Sequence, residues 1–107
     1  MYKYGTIVLV PFPFTDLSGM KVRPAVIISN KLVGNDIIVA FISTNIKNKE
    51  KFGVMVKMDK YNGLKSNSII LLSKVATLEK KIILGEIGRL SNMHIVEIKN
   101  KLKTLFL

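Results

Sequence analysis

Short apolar runs separated by polar, turn-forming stretches predict a chain built mainly of β-strands. The runs are rich in β-branched and aromatic residues, and the stretches between them contain Gly, Asn, Asp and Ser. Pro11 and Pro13 cannot donate to a strand ladder, so the end of the first run lies at a sheet edge or leaves the sheet. The predicted strands are Gly5–Phe14, Val22–Asn30, Ile37–Ile42, Gly53–Met58 and Ser68–Val75, with a short strand or crossing segment at Gly85–Leu90.

The segment Ser91–Phe106 has the periodicity of an amphipathic helix, with Ser91 or Asn92 suited to the N-cap. A second stretch, Thr77–Leu84, predicts one or two helical turns capped by Thr77. His94 falls in the first turn of the C-terminal helix, and we interpret it as an exposed or helix-end residue. The predicted apolar stripe consists of Ile95, Ile98, Leu102 and Leu105, widened by Val96 and Phe106, with Lys99, Lys101 and Lys103 towards the polar side.

Five or six short strands followed by one helix predict a small, strongly curved, SH3-like β-barrel with a C-terminal helix. The length of 107 residues predicts one domain over residues 1–107. No apolar run reaches the roughly 18 residues of a membrane span, and the N-terminus is unlike a signal peptide. We therefore expect a cytoplasmic protein with no membrane partner.

Composition narrows the chemistry. The chain has no cysteine and one histidine, which argues against a thiolate or multi-histidine metal site. Seventeen Lys and Arg residues against seven Asp and Glu residues give a formal net charge of +10. A field of that sign attracts polyanions, so we expect a nucleic acid or an acidic protein as partner. The alternative is that the lysines keep an apolar domain soluble.

The candidate chemistry consists of basic and hydroxyl side chains. No phosphate-cradling, dinucleotide or serine-hydrolase motif is present, and the seven acidic residues form no evident pair. Pro24 holds Arg23 extended, and a guanidinium donates in parallel to a phosphate. Hydroxyls at Ser43 and Thr44 follow the third apolar run, where they either orient a ligand or satisfy backbone groups. Such a set fits RNA cleavage by the substrate's own 2′-OH better than hydrolysis of DNA.

Three blocks of the sequence form a recognisable pattern: GTIVLVPFPFTDLSGMKVRPAVIISN (Gly5–Asn30), IIVAFIST (Ile37–Thr44) and GLKSNSIILLSKVATLEKKIILGEIGRLS (Gly63–Ser91). Together they resemble the PemK/MazF family of toxin ribonucleases from type II toxin–antitoxin pairs. The first block is quite specific, the third is moderately specific, and the second is weak alone.

This resemblance implies a curved barrel with a C-terminal helix, assembled as a homodimer. It implies an endoribonuclease without metal or other cofactor, which cuts single-stranded RNA at short motifs and leaves 2′,3′-cyclic phosphate and 5′-hydroxyl ends. A toxin of this kind implies an acidic, partly disordered antitoxin. We expect both RNA and antitoxin in a basic groove at the dimer interface, roofed by the loop Thr15–Gly19.

The family's catalytic arginine maps onto Arg23, and its catalytic threonine onto Ser43 or, one residue later, Thr44. A serine would keep the hydroxyl. We expect RNA contacts from Thr15, Lys21, Lys47 and Lys74.

The chain departs from the family's pattern at three points. An acidic residue often follows the first glycine, where this chain has Thr6, and Ala76 stands where the family often has arginine. The first loop is the shorter TDLSG. The alternative function is a non-catalytic module on the same barrel that binds nucleic acid or gyrase. The serine at the threonine position favours that alternative, whereas Lys21-Val22-Arg23-Pro24 favours the enzyme.

Overall fold

The apolar runs form six strands and a helix in the computed structural model, which describes residues 2–12, 21–30, 34–47 and 50–107. Side chains alternate between the two faces of each strand, so a strand with apolar residues at successive positions is covered on both faces. The elements are β1 (Thr6–Phe12), β2 (Lys21–Ile27), β3 (Asp36–Ser43), β4 (Gly53–Val56), β5 (Ser68–Glu79), a 3₁₀ turn (Lys80–Ile82), β6 (Gly85–Arg89) and α1 (Asn92–Phe106).

All six strands belong to one antiparallel sheet in the order β4-β5-β3-β2-β1-β6. The sheet curls into a half-barrel, and no pairing joins its two edge strands within the described residues. The helix α1 packs near β4 and β5. The predicted fold class, a strongly curved β structure with a C-terminal helix, is confirmed.

The curled sheet has a hydrophobic cluster on each face. One cluster lies against α1 and contains Ile95 and Ile98 together with Val26, Ile42 and Leu72. The other cluster occupies the opposite face and is formed by Val8, Val10, Ala25, Ile27, Ile37, Val39 and Leu78. Successive residues of β2 and β3 belong alternately to the two clusters. The position of any other residue along these strands therefore tells which face of the sheet its side chain lies on.

The structure corrects one predicted element. The stretch Thr77–Leu84 does not begin a helix: β5 runs on to Glu79, and only Lys80–Ile82 form a 3₁₀ turn. Thr77 pairs with Ile38, so it lies within the strand instead of capping a helix. The local sequence has helical spacing, but pairing with β3 decides the conformation, since tertiary context overrides weak local propensity.

The predicted N-cap of α1 is confirmed at Ser91, whose hydroxyl accepts the N–H of His94 at 3.4 Å. Of the predicted stripe, Ile95 and Ile98 are buried, and Leu102 and Leu105 are half-buried. The prediction that Val96 and Phe106 widen the stripe is wrong, since they are 56% and 68% exposed. Val96 follows Ile95 directly, about 100° further round the helix, and so points away from the sheet.

Two side chains of α1 cover the outer edge of β4. His94 Nε2 lies 3.1 Å from the carbonyl oxygen of Met55, and Lys101 Nζ donates to the carbonyl oxygen of Gly53 at 2.7 Å. Exposed strand edges invite pairing with other chains, and these contacts occupy outward-facing carbonyl groups of the edge. His94 lies in the first turn of α1 and is half-buried against β4. In the part of the chain that the structure describes, no helix has both the length and the apolar character needed to cross a bilayer.

Candidate active site

The candidate site opens where β2 and β3 separate. The ladder between them pairs Ile27 with Val39 and ends at the pair Ala25–Phe41. Beyond that pair, the first four residues of β2 continue against β1, while the end of β3 continues against β5. The two strands therefore diverge, and a groove forms between them.

Pro24 gives a physical reason for this divergence. The N–H of Ile28 donates to the carbonyl of Ile38 at 2.9 Å, so the backbone groups of Ile28 face β3. Because backbone direction alternates along a strand, those of Val26 and Pro24 face β3 as well. By register, the next hydrogen-bonded pair would join Pro24 to Ile42. Proline has no N–H, so that pair would lack one of its two hydrogen bonds.

Arg23 and Ser43 are brought to the same face of the sheet by their strand positions. Arg23 lies two residues before Ala25, whose side chain belongs to the cluster opposite α1. Ser43 lies two residues after Phe41, which packs against that same cluster. Both residues line one groove of about 450 Å³, which we call the Arg23 groove. Its other described lining residues are Lys74 and the apolar side chains Phe41, Ile42, Leu71 and Val75.

The Arg23 groove is cationic. Arg23 and Lys74 are both exposed, and neither forms an ion pair with a carboxylate among the residues that the structure describes. None of the described lining residues is acidic. An anion that enters the groove therefore meets two positive charges that no carboxylate among the described residues neutralises in an ion pair.

Ser43 supplies a hydroxyl at the end of β3. Its Oγ accepts the N–H of Asn45 at 3.1 Å, so the hydroxyl satisfies a backbone group, as one of the two interpretations of the sequence expected. A hydroxyl that accepts one hydrogen bond can still donate its own hydrogen. Ser43 can thus hold its backbone contact and donate to an oxygen in the groove.

The structure brings together some of the predicted site residues. Arg23, Ser43 and Lys74 line the groove, whereas Thr44 is exposed beyond the end of β3 and does not line it. Lys21 lies two residues before Arg23 on the same strand and is exposed outside the described lining. Lys47 is likewise exposed and outside it. Thr15 and the loop Thr15–Gly19 lie outside the described residues.

The sequence interpretation missed four apolar residues that line the groove: Phe41, Ile42, Leu71 and Val75. Phe41 and Leu71 are half-buried, and Val75 is 40% exposed. Each occurs within an apolar run that predicts a buried strand, so nothing local distinguishes it from the core. An apolar wall beside two cations suits a ligand that carries both phosphates and flat bases.

The donor set can bind and stabilise a phosphate during in-line displacement. A guanidinium, an ammonium and a hydroxyl all donate hydrogen bonds, and charge-assisted ones are the stronger kind. Within the described residues, no cluster of three or more His, Cys, Asp or Glu side chains is placed to hold a metal ion. Donors of this kind can stabilise negative charge on a bound phosphate.

Solved structures share the fold over nearly the whole chain. They include an endoribonuclease from a mycobacterial species in complex with its cognate antitoxin (TM-score 0.76, 17% identity, 97% of this chain and 93% of that chain). They also include the Mycobacterium tuberculosis toxin MazF-mt6 (TM-score 0.75, 21% identity, 94% and 95%) and the MazE–MazF complex from Deinococcus radiodurans (TM-score 0.76, 17% identity). The last similarity covers 97% of this chain and 94% of that chain.

At these identities the structural similarity shows a common fold. No curated protein matches the sequence. A protein family described as the PemK-like, MazF-like toxins of type II toxin–antitoxin systems matches residues 3–106, nearly the full length. The predicted resemblance is thereby confirmed, and the chain belongs to this PemK-like, MazF-like toxin family of type II toxin–antitoxin systems.

Proposed function

We propose that this toxin is a sequence-specific endoribonuclease that cuts single-stranded RNA, including mRNA, without a metal ion. The observation that carries the proposal is the position of Arg23 and Ser43 on one face of one cationic groove. The family assignment supports it, as do structural neighbours that are themselves endoribonucleases. The described chain acts as one such domain.

The reaction uses the substrate's own nucleophile. The 2′-oxygen attacks the adjacent phosphorus and loses its proton, and the bond from phosphorus to the 5′-oxygen breaks, with that oxygen gaining a proton. The products are a 2′,3′-cyclic phosphate and a 5′-hydroxyl. Arg23 stabilises the charge that develops on the phosphate oxygens, because arginine remains charged in proteins and its planar fork matches two of those oxygens.

Ser43 takes the hydroxyl role in preference to Thr44. Ser43 lines the Arg23 groove, whereas Thr44 lies beyond the end of β3. If the β2–β3 register continued two residues beyond the Ala25–Phe41 pair, Arg23 would stand opposite Ser43. The Ser43 hydroxyl donates to a phosphate oxygen while keeping its contact with the N–H of Asn45.

RNA and an acidic antitoxin compete for the same cationic surface. The net charge of +10 favours polyanionic ligands of either kind, as do the groove cations, which form no ion pair with the described carboxylates. The antitoxin is an acidic, partly disordered peptide that occupies the RNA groove, and the toxin acts as a homodimer in the cytoplasm, where mRNA is found. RNA contacts outside the described lining come from Thr15, Lys21 and Lys47.

The decisive experiment incubates the EDTA-treated protein with a long unstructured RNA and maps the new 5′ ends. We expect discrete cuts whose 5′ ends accept phosphate from a kinase without prior phosphatase treatment. An RNA that stays intact contradicts the enzyme. Salt-sensitive RNA binding without cut products would instead support the non-catalytic module. Arg89→Ala, which removes an exposed arginine outside the described lining of the groove, is the matched control for Arg23→Ala.

A further inference from the structure

A bulge in β5 presents Lys74 to the Arg23 groove. The β3–β5 register shifts between Ala40, which pairs with Val75, and Phe41, which pairs with Leu71. Within the described part of the sheet, the intervening β5 residues have no partner in β3: Leu72, Ser73 and Lys74. A bulge bends its strand and changes the direction in which side chains point. The bulge in β5 therefore directs Lys74 towards the Arg23 groove, whereas a regular ladder would direct it elsewhere.

The segment before β4 holds this bulge from outside the β3 ladder. The N–H of Leu72 donates to the carbonyl oxygen of Phe52 at 3.2 Å, and the Leu72 side chain is fully buried. The hydroxyl of Ser73 donates to a carboxylate oxygen of Glu50 at 2.7 Å. The second contact is a short, charge-assisted hydrogen bond, and it restrains the residue directly before Lys74.

A lysine needs such a restraint to bind at a defined point. Its ammonium sits on a flexible stem, so the backbone that carries it determines the region that the charge can reach. Glu50 places a negative charge close to a surface that we propose binds RNA. The carboxylate of Glu50 repels RNA electrostatically. Its hydrogen bond to Ser73, however, favours RNA binding because it restrains the residue before Lys74.

We propose that Glu50 and Ser73 are positioning residues for Lys74, whose ammonium binds an RNA phosphate next to the one that is cut; this inference rests on the proposed endoribonuclease function. Lys74 itself contacts the substrate. Glu50 and Ser73 act through it, by fixing the bulge in the orientation that points Lys74 into the groove.

The test measures KM and kcat on a single-stranded RNA whose cut site has been mapped with the wild-type protein. It also measures binding of the same RNA, made with 2′-deoxyribose at the cut, as a function of salt. We expect Lys74→Ala to raise KM about three- to tenfold with kcat nearly unchanged, because it removes a contact made equally in the ground and transition states. The slope of log K against log salt should fall by about one.

Ser73→Ala and Glu50→Ala should raise KM and reduce the salt slope in the same direction by a smaller amount. Ser73→Thr, which keeps the hydroxyl, should restore both values. In the Lys74→Ala background, Ser73→Ala should have no further effect, because a residue that acts through Lys74 is silent without it. Ser66→Ala and Glu86→Ala are matched controls at exposed positions outside the described lining of the groove.

Three results would overturn the inference. KM and the salt slope could be unchanged in Ser73→Ala, or Ser73→Ala could have its full effect without Lys74. A lower KM in Glu50→Ala would show that the carboxylate acts only as a repelling charge. If the wild-type protein binds the RNA but does not cut it, the proposed function fails, while the salt slopes still test the positioning of Lys74.

Discussion

Arg23 and Ser43 stand on the same face of the sheet, each two residues beyond the Ala25–Phe41 pair that ends the β2–β3 ladder. One residue precedes the last pair on β2 and the other follows it on β3, so both line the groove that opens between the separating strands. Neither residue is close to the other in sequence. The separation of two strands thus creates a place where a guanidinium and a hydroxyl can hold one phosphate.

Arg23→Ala should lower kcat about 10²- to 10³-fold, the usual loss when a donor to a developing negative charge is removed. Arg23→Lys should recover only part of this, since an ammonium lacks the planar fork. The measurement is the rate of RNA cleavage by each variant, with circular dichroism to check the fold. Arg89→Ala should cleave like the wild type, and an equal loss in both arginine variants would show that net charge alone matters.

Ser43→Ala should reduce cleavage more than Thr44→Ala, because only Ser43 lines the groove. We expect a loss of about tenfold or more for Ser43→Ala and a change below about threefold for Thr44→Ala. Ser43→Thr keeps a hydroxyl and should retain most activity. The comparison uses single-turnover cleavage rates. If Thr44→Ala has the larger effect, the residue assignment is wrong, although the groove would remain.

Pro24→Ala should reduce cleavage by about tenfold because it restores an N–H that faces β3 and lets the β2–β3 ladder extend, which narrows the groove. The free energy of unfolding should change by less than about 1 kcal/mol. Hydrogen exchange shows whether the new amide is protected. Pro11→Ala makes the same chemical change on β1 and should cleave normally. An unprotected amide together with wild-type cleavage would refute this origin of the groove.

Tyr4 should make the stability of the protein depend on pH in the alkaline range. Burial raises the pKa of the Tyr4 hydroxyl above its usual 10.0, and the hydroxyl has no hydrogen-bond partner among the described residues. The raised pKa contributes to the free energy of unfolding as long as the hydroxyl stays neutral. This contribution is complete below pH 10.0 and is lost as the pH rises through the higher folded pKa, because the unfolded chain ionises first. Unfolding in urea should therefore show wild type losing stability relative to Tyr4→Phe above that pH.

Near neutral pH, Tyr4→Phe should be neutral or stabilising by up to about 1 kcal/mol, because it removes an unpaired buried hydroxyl. Tyr61→Phe removes the hydroxyl of a tyrosine that is 70% exposed and is the matched control. If the free energies of unfolding of wild type and Tyr4→Phe differ by the same amount throughout the alkaline range, burial does not raise the pKa of Tyr4.

Gly63→Ala should destabilise the fold far more than Gly34→Ala. Both glycines have positive φ, +69° and +65°. A Cβ at Gly63 would overlap the carbonyl oxygen of Ile87, whereas a Cβ at Gly34 would meet none of the described residues. We expect about 1 kcal/mol for Gly34→Ala from backbone strain alone, and about 3 kcal/mol or more for Gly63→Ala. Chemical denaturation measures both. Equal losses would show that backbone conformation, not the approach of β6, requires glycine at residue 63.

The sequence alone predicts those features whose structure depends on neighbouring residues. Arg23 is held at the start of a strand by the following proline, and Ser43 ends an apolar run, so both could be chosen from neighbouring residues. The cap at Ser91 follows from its place before an apolar periodicity. These features depend on residues close in sequence, and they place most of the candidate site.

The rest depends on pairing between distant residues. The extension of β5 through Thr77 is set by its β3 partner Ile38, and the place of Lys74 is set by a bulge opposite Ala40 and Phe41. Neither has a local signal, because helical spacing and an apolar run are compatible with several partners. Val96 also shows this limit, since which apolar residues of a helix meet the sheet depends on how the helix docks.

The most direct measurement is a crystal structure of the protein with its mapped RNA substrate, made with 2′-deoxyribose at the cut so that no nucleophile is present. We predict that the phosphate at the cut lies in the Arg23 groove, within hydrogen-bond distance of both the Arg23 guanidinium and the Ser43 hydroxyl. An RNA whose scissile phosphate contacts neither residue would contradict the account.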